Sequence, residues 1–210
     1  DHPAIVAQAD SLVRDITSEK DKAVALYYWA RDSIRYNPYS VSARPEDYLA
    51  SATLAAGESW CVPKALLLAA LCRAAGIAAS VGFADVRNHL STERMRQMME
   101  TDLFYFHGYT SICIEGRWLK ATPAFNVELC DRFGLLPLEF DGTADSLYHP
   151  YDRTGNRHME YVNERGEFPD LPFEEMLAVF RTHYPSMMEA LDQRNLSSAQ
   201  WEQDVSLEVR

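Results

Sequence analysis

Basic charge is scarce in this 210-residue chain. Twenty Lys and Arg stand against 31 Asp and Glu, a formal net charge of −11. That deficit argues against nucleic acid or an anionic membrane as the main partner. Long apolar runs are missing too: the longest, Ala65–Cys72, has eight residues, short of the ~18 that a membrane helix needs. The first 30 residues mix acids with bases and hold no apolar signal core. The chain begins at Asp1 without a Met, and the expectation is that residues were removed ahead of it. Cysteine is sparse: Cys61, Cys72, Cys113 and Cys130 lie 11, 41 and 17 apart, with no CxxC. This is neither a zinc knuckle nor a dense disulfide framework, so a reducing cytoplasm is the expected compartment. There is no phosphate loop, dinucleotide fingerprint or GxSxG elbow, and no cofactor is expected.

What is present reads as one globular domain with decoration. Hydrophobic residues make up 47% and charged residues 24%, which excludes a disordered or collagen-like chain. Residues 4–16 read as an amphipathic helix. Residues 20–36 read as a second, because Ala23, Leu26, Tyr27, Ala30 and Ile34 form one helical stripe. Ser18 with Asp21 resembles a capping box, and Asn37-Pro38 is the expected stop. Residues 38–60 lack a period and read as loop with a helical turn. Residues 61–75 are apolar almost all round, the mark of a buried central helix, with Pro63 in its first turn and Gly76 at its end.

A strand over 77–86 and a short helix over 91–101 follow, with Ser91 or Thr92 as cap and Met95, Met98 and Met99 inward. Phe104–Ile114 and Arg117–Ala121 read as a hairpin around Glu115-Gly116. Beyond residue 130 the pattern turns irregular until a helix over 172–182. The expected division is a domain over 1–184, with its core motifs in 20–126 and an irregular extension over 127–184. A polar tail over 185–210 is expected to be a loosely packed helix or disorder. Helices, a buried helix, a strand and a hairpin in that order give an α+β class.

Cys61 opens the buried helix. Free N–H groups and a partial positive charge at a helix start favour thiolate, so a cysteine there can be a nucleophile. The same N–H groups could hold an oxyanion. The plain alternative is a small core residue, as for Cys72 in mid-helix. Among six histidines, His107 lies within a strand. It is either a packing residue or the base that a thiol nucleophile needs. If Glu115-Gly116 is a two-residue turn, Ile114 faces Arg117, His107 faces Ala124 and Tyr109 faces Thr122; a bulge would break this register.

The stretch GESWCVPKALLLAALCRAAGIAASVG resembles the nucleophile segment of the transglutaminase-like superfamily, of the bacterial type. Gly57, Cys61, Arg73, Gly76, Ile77, Ala78 and Gly82 carry its pattern, with a wider gap from Gly57 to Cys61. Upstream, WARDSIRYNPY is similar to the family's helix before the cysteine loop. Downstream, His107 followed by EGRWLKATPAFN is similar to its histidine strand, hairpin and tryptophan segment. The resemblance implies a papain-like fold, with a central helix carrying cysteine packed on an antiparallel sheet carrying histidine. It also implies Cys61 as nucleophile and His107 as base.

The family's third residue is an Asp where this chain has Thr122. A hydroxyl accepts an N–H but brings no charge. Asn126, or Asp141 and Asp145 from a neighbouring loop, are the alternatives for orienting the ring. Trp60 reads as a wall of an acyl pocket or as an anchor for the helix start. Tyr36 and Asn37 read as oxyanion donors or as turn residues. Tyr148, Tyr151 and Tyr161 read as the lining of a cleft or as buried tyrosines. His149, Asp152 and His158 fit no dedicated metal spacing, and no metal site is expected. The leading expectation is thiol-dependent acyl transfer on a peptide or protein amide, as peptidase, amidase or transglutaminase. The alternative is a catalytically inactive module that binds a peptide or protein.

Overall fold

The structure is a computed structural model and describes residues 2–88, 91–147, 151–155, 158–192 and 198–208. Tyr148 and His149, named above, lie outside the described residues.

Helices α1 (Pro3–Val13) and α2 (Glu19–Ser33) bury the expected stripes. Ser18 caps α2 by accepting from the Asp21 N–H. The second helix ends earlier than its apolar stripe suggests. Ile34 is already extended, and Arg35–Tyr36 (β1) pairs in parallel with Glu58–Ser59 (β2). Two 3-10 turns and α3 (Ala50–Ala56) fill the stretch expected to be loop. This region carries no long apolar run, so its structure is set by pairing with distant residues rather than by local pattern.

Helix α4 (Cys61–Ala74) is the axis of the fold, buried on nearly every side. Val62, Leu66 and Ala69 pack into one core cluster, while Leu67, Leu68, Leu71 and Cys72 pack into another, against α1 and α2. Gly76, just past the helix, takes φ +81°, a left-handed turn that glycine enters without steric cost. Among the described residues, no helix is long and apolar enough to cross a membrane.

The sheet runs β5-β4-β3-β6, all antiparallel. Its strands are β3 (Ala79–Asn88), β4 (Leu103–Ile114), β5 (Arg117–Ala121) and β6 (Met159–Phe168). The hairpin has the expected turn: Glu115 and Gly116 both have positive φ, and Ile114 faces Arg117. That conformation matches the right-handed twist of the flanking strands. The ladder stops at Ala121, which turns to bridge Ser146. The expected pairings of His107 with Ala124 and Tyr109 with Thr122 therefore do not form. Strand β6 sits at an edge with charged, exposed side chains, which conceals it from an alternation pattern and also protects the edge.

Helices α5 (Glu93–Met99), α6 (Val127–Phe133) and α7 (Phe173–His183) follow, α5 packing on the C-terminal region, α6 on α2 and α7 on β4. Thr92 caps α5, and Met95 and Met99 are buried. The loose polar tail is corrected. Helices α8 (Pro185–Asp192) and α9 (Ser198–Glu208) put Met187, Met188, Trp201 and Val205 into the main core. A few apolar residues suffice, because the rest of their cluster comes from distant parts of the chain.

Candidate functional site

Cys61 is the first residue of α4, and Trp60 before it is extended. The chain enters the helix from β2, so the parallel pair β1–β2 sets where Cys61 sits. Two features of β4 bring the strand against this helix start. Gly108 approaches so closely that a Cβ there would lie 2.9 Å from the Val62 Cα. One turn along, the Thr110 hydroxyl donates to the Ala65 carbonyl at 2.9 Å. Only a residue without a Cβ fits at the first contact.

His107 precedes Gly108 and follows a bulge. Between Ala84↔His107 and Val86↔Phe104, strand β4 has one residue more than β3. Phe106 takes φ +58° there, a conformation that a bulky side chain adopts only under restraint. The restraint is Asp85. Its carboxylate accepts from the Phe106 N–H at 3.2 Å, from Asn163 and from Arg165. The Arg165 guanidinium lies over the Phe106 ring, 4.4 Å from its centroid. A bulge of this kind re-aims the side chains beside it. Neither Gly108 nor Asp85 stood out in the sequence, although a glycine beside a strand histidine is a signal for close backbone approach.

Cys61 and His107 line one cavity, together with Trp60, Tyr36, Pro38, Val41, Met95, Met99, Phe104, Phe180 and Met187 among others. Cys61 is 5% exposed and His107 7%. Burial pushes the Cys61 thiol up to about 11, although the Gly108 and Val62 N–H groups at the sulfur oppose the shift. Burial thus opposes the depression expected from the helix start, since desolvation disfavours the thiolate. Burial, reinforced by His158, pushes His107 down to about 4. At neutral pH the site holds a neutral thiol and a neutral imidazole.

None of the candidates for the third position hydrogen-bonds to His107. Thr122 is buried, but its hydroxyl has no hydrogen-bond partner. Its backbone is taken by Ser146 and Tyr27. The Asn126 carbonyl oxygen accepts from the Tyr36 N–H at 3.0 Å, fixing β1 instead. Asp141 is exposed and caps Thr143. Asp145 accepts from the Lys120 N–H.

The other candidates are also located. The Asn37 oxygen caps a 3-10 turn at Tyr39, while its buried Nδ2 has no acceptor. Trp60 is buried, with its indole nitrogen lacking an acceptor. Tyr151 and Tyr161 are exposed, at 53% and 37%, so neither is the buried tyrosine nor the cleft wall expected. His158 is buried with its ring 6.0 Å from that of Phe125. Among the described residues, no group of three His, Cys, Asp or Glu could hold a metal ion.

Lys64, which the sequence reading passed over, is fully buried on the third residue after Cys61. Its Nζ donates to the Arg31 carbonyl at 2.8 Å and to the Ile34 carbonyl. These are among the carbonyls that the end of α2 leaves unpaired. The lysine therefore closes α2 onto α4 and supports β1.

No curated protein matches the chain. Two solved structures resemble it in fold. One is a candidate protease of Parabacteroides distasonis, 15% identical, TM-score 0.41, covering 56% of this chain and 22% of its own. The other is a candidate cysteine protease of Cytophaga hutchinsonii, 17% identical, TM-score 0.44, covering 79% of this chain and 49% of its own. The chain thus spans less than half the length of either. The family model of the transglutaminase-like superfamily matches residues 6–123, more than half of the 210 residues. Helix α4 and strands β3, β4 and β5 fall within that match, and the chain belongs to the transglutaminase-like superfamily.

Proposed function

We propose that the chain performs thiol-dependent acyl transfer on an amide or peptide bond. Cys61 is the nucleophile and His107 the base. The observation that carries this reading is the shared cavity: a cysteine at a helix start and a strand histidine, 46 positions apart, are both in its lining. Superfamily membership supports it.

In the proposed step, the Cys61 sulfur forms a bond to the substrate carbonyl carbon, and His107 takes the thiol proton. The Cys61 and Val62 N–H groups stabilise the oxyanion. The tetrahedral centre collapses, the C–N bond breaks, and His107 passes the proton to the leaving nitrogen. Water then adds to the thioester, the S–C bond breaks, and a carboxylic acid and free thiol result. An amine in place of water gives transamidation. Hydrolysis is preferred because it needs no second substrate pocket. Thr122 is the assigned orienting group.

A second reading, a peptide-binding module without turnover, draws support from Thr122, Asn126, Asp141 and Asp145, none of which hydrogen-bonds to His107. Acetyl transfer from p-nitrophenyl acetate separates the two. The catalytic reading expects an acetyl group on Cys61, located by peptide mass spectrometry, formed far more slowly in His107→Ala. Equal acetylation of Cys113 and Cys61 would end it.

A further inference from the structure

The cavity that holds the thiol has an unusual lining for a site meant to receive a polar amide side chain. Among the described residues, no Asp, Glu, Lys or Arg lines it. Met95 and Met99 come from α5, Met187 from α8, and Phe104, Phe180, Tyr36, Tyr105 and Tyr184 give the wall its aromatic part. A charged group entering here would lose its hydration without an opposite charge in the wall to meet it. The cavity holds about 40 Å³, room for a few waters. It is flanked by a second apolar cavity that shares Tyr36, Pro38, Met95 and Phe104 with it. Methionines are unbranched and repack readily, so walls of this composition enlarge around an apolar guest.

A second, independent observation concerns Trp60. The residue lines the same cavity, and its buried indole nitrogen has no acceptor among the described residues. Buried donors are nearly always satisfied in a folded protein. An acceptor arriving with a ligand would complete this one.

From these observations we infer that the cavity takes an apolar acyl group, aliphatic or aromatic, with the Trp60 N–H donating to a carbonyl oxygen of the same substrate. The inference rests on the proposed acyl-transfer reading and names its substrate class. A substrate of this kind is an amide whose acyl side carries an unbranched or lightly branched hydrocarbon, not an acidic or basic residue.

The test alkylates the full chain at about pH 9, near the ordinary thiol value, with three probes: iodoacetamide, iodoacetate and N-butyl iodoacetamide. Each forms a sulfur–carbon bond and releases iodide, the thiol proton going to buffer. Partly exposed Cys113 serves as the internal reference. The butyl probe should raise the Cys61-to-Cys113 labelling ratio at least about ten-fold over iodoacetamide, given what burying a few methylenes contributes. Iodoacetate should lower it. A ratio unchanged or reduced by the butyl group would overturn the inference.

Trp60→Phe should slow labelling of Cys61 by N-butyl iodoacetamide but not by 1-iodobutane, which has no carbonyl. Equal slowing of both would remove Trp60 as a donor. Acetyl transfer reports on catalysis and these ratios report on the cavity, so failure of one is distinguishable from failure of the other.

Discussion

Gly108 of β4 rests on Val62 of α4 so tightly that an added Cβ would come within 2.9 Å of the Val62 Cα. This contact fixes the distance between the strand that carries His107 and the helix that begins with Cys61. Gly108→Ala must therefore push strand from helix. The expected cost is about 1–3 kcal/mol of stability, read as a lower urea midpoint with unchanged slope. Acetyl transfer to Cys61 should fall by roughly 10²-fold, since displacements of about an ångström have that effect. An alanine variant with wild-type transfer would show that the close approach is not required.

Asp85 is expected to act on His107 through the bulge. Asp85→Ala frees the Phe106 N–H and leaves Arg165 without its carboxylate, an expected loss of about 3–5 kcal/mol for a buried, broken pair. Asp85→Asn keeps the acceptor oxygen for Phe106 but removes the charge, and should lose less stability. The positioning role is checked by acetylation rate in folded protein. Both variants should slow it, with Asp85→Asn the milder. A variant that loses stability yet keeps the full rate would confine Asp85 to a structural role.

Reactivity and stability should respond to pH through different groups. Cys61 is held up at about 11 from an ordinary value of 9.0, so alkylation of the ligand-free protein should climb about ten-fold per pH unit from 7 upward. A plateau near pH 6 would mean that a thiolate–imidazolium pair exists instead. His107 has its folded value depressed to about 4 from 6.5. Between those values the unfolded chain binds a proton that the folded chain does not. Stability from this group is therefore complete above pH 6.5 and is lost as pH falls toward 4, by about 3 kcal/mol. In His107→Gln, acid titration of the urea midpoint should be flatter over that window.

Lys64→Met tests the closure of α2. The methionine fills a similar volume but leaves the Arg31 and Ile34 carbonyls without the buried donor. At about 1–3 kcal/mol for each stranded group, the loss should be roughly 2–5 kcal/mol in urea unfolding. An unchanged midpoint would mean that water replaces the amine without cost.

The sequence by itself determined the pieces whose signal is local. The all-round apolar run made 61–75 a buried helix, and Glu115-Gly116 fixed the hairpin register as far as Thr110↔Ala121. The linear order of cysteine segment, histidine strand and hairpin was enough to reveal the family. Tertiary structure decided what depends on residues distant in the chain. The bulge at Phe106 exists because Asp85 and Arg165 meet on it from two other strands. Strand β6 exists because β3 offers it an edge, not because its own residues alternate.

The thiol's charge state belongs to the same class. A helix start favours thiolate wherever it occurs, but the desolvation that opposes this preference comes with burial in a cavity whose lining is drawn from distant parts of the chain. Spacing along the chain carries no measure of how much water the folded chain excludes.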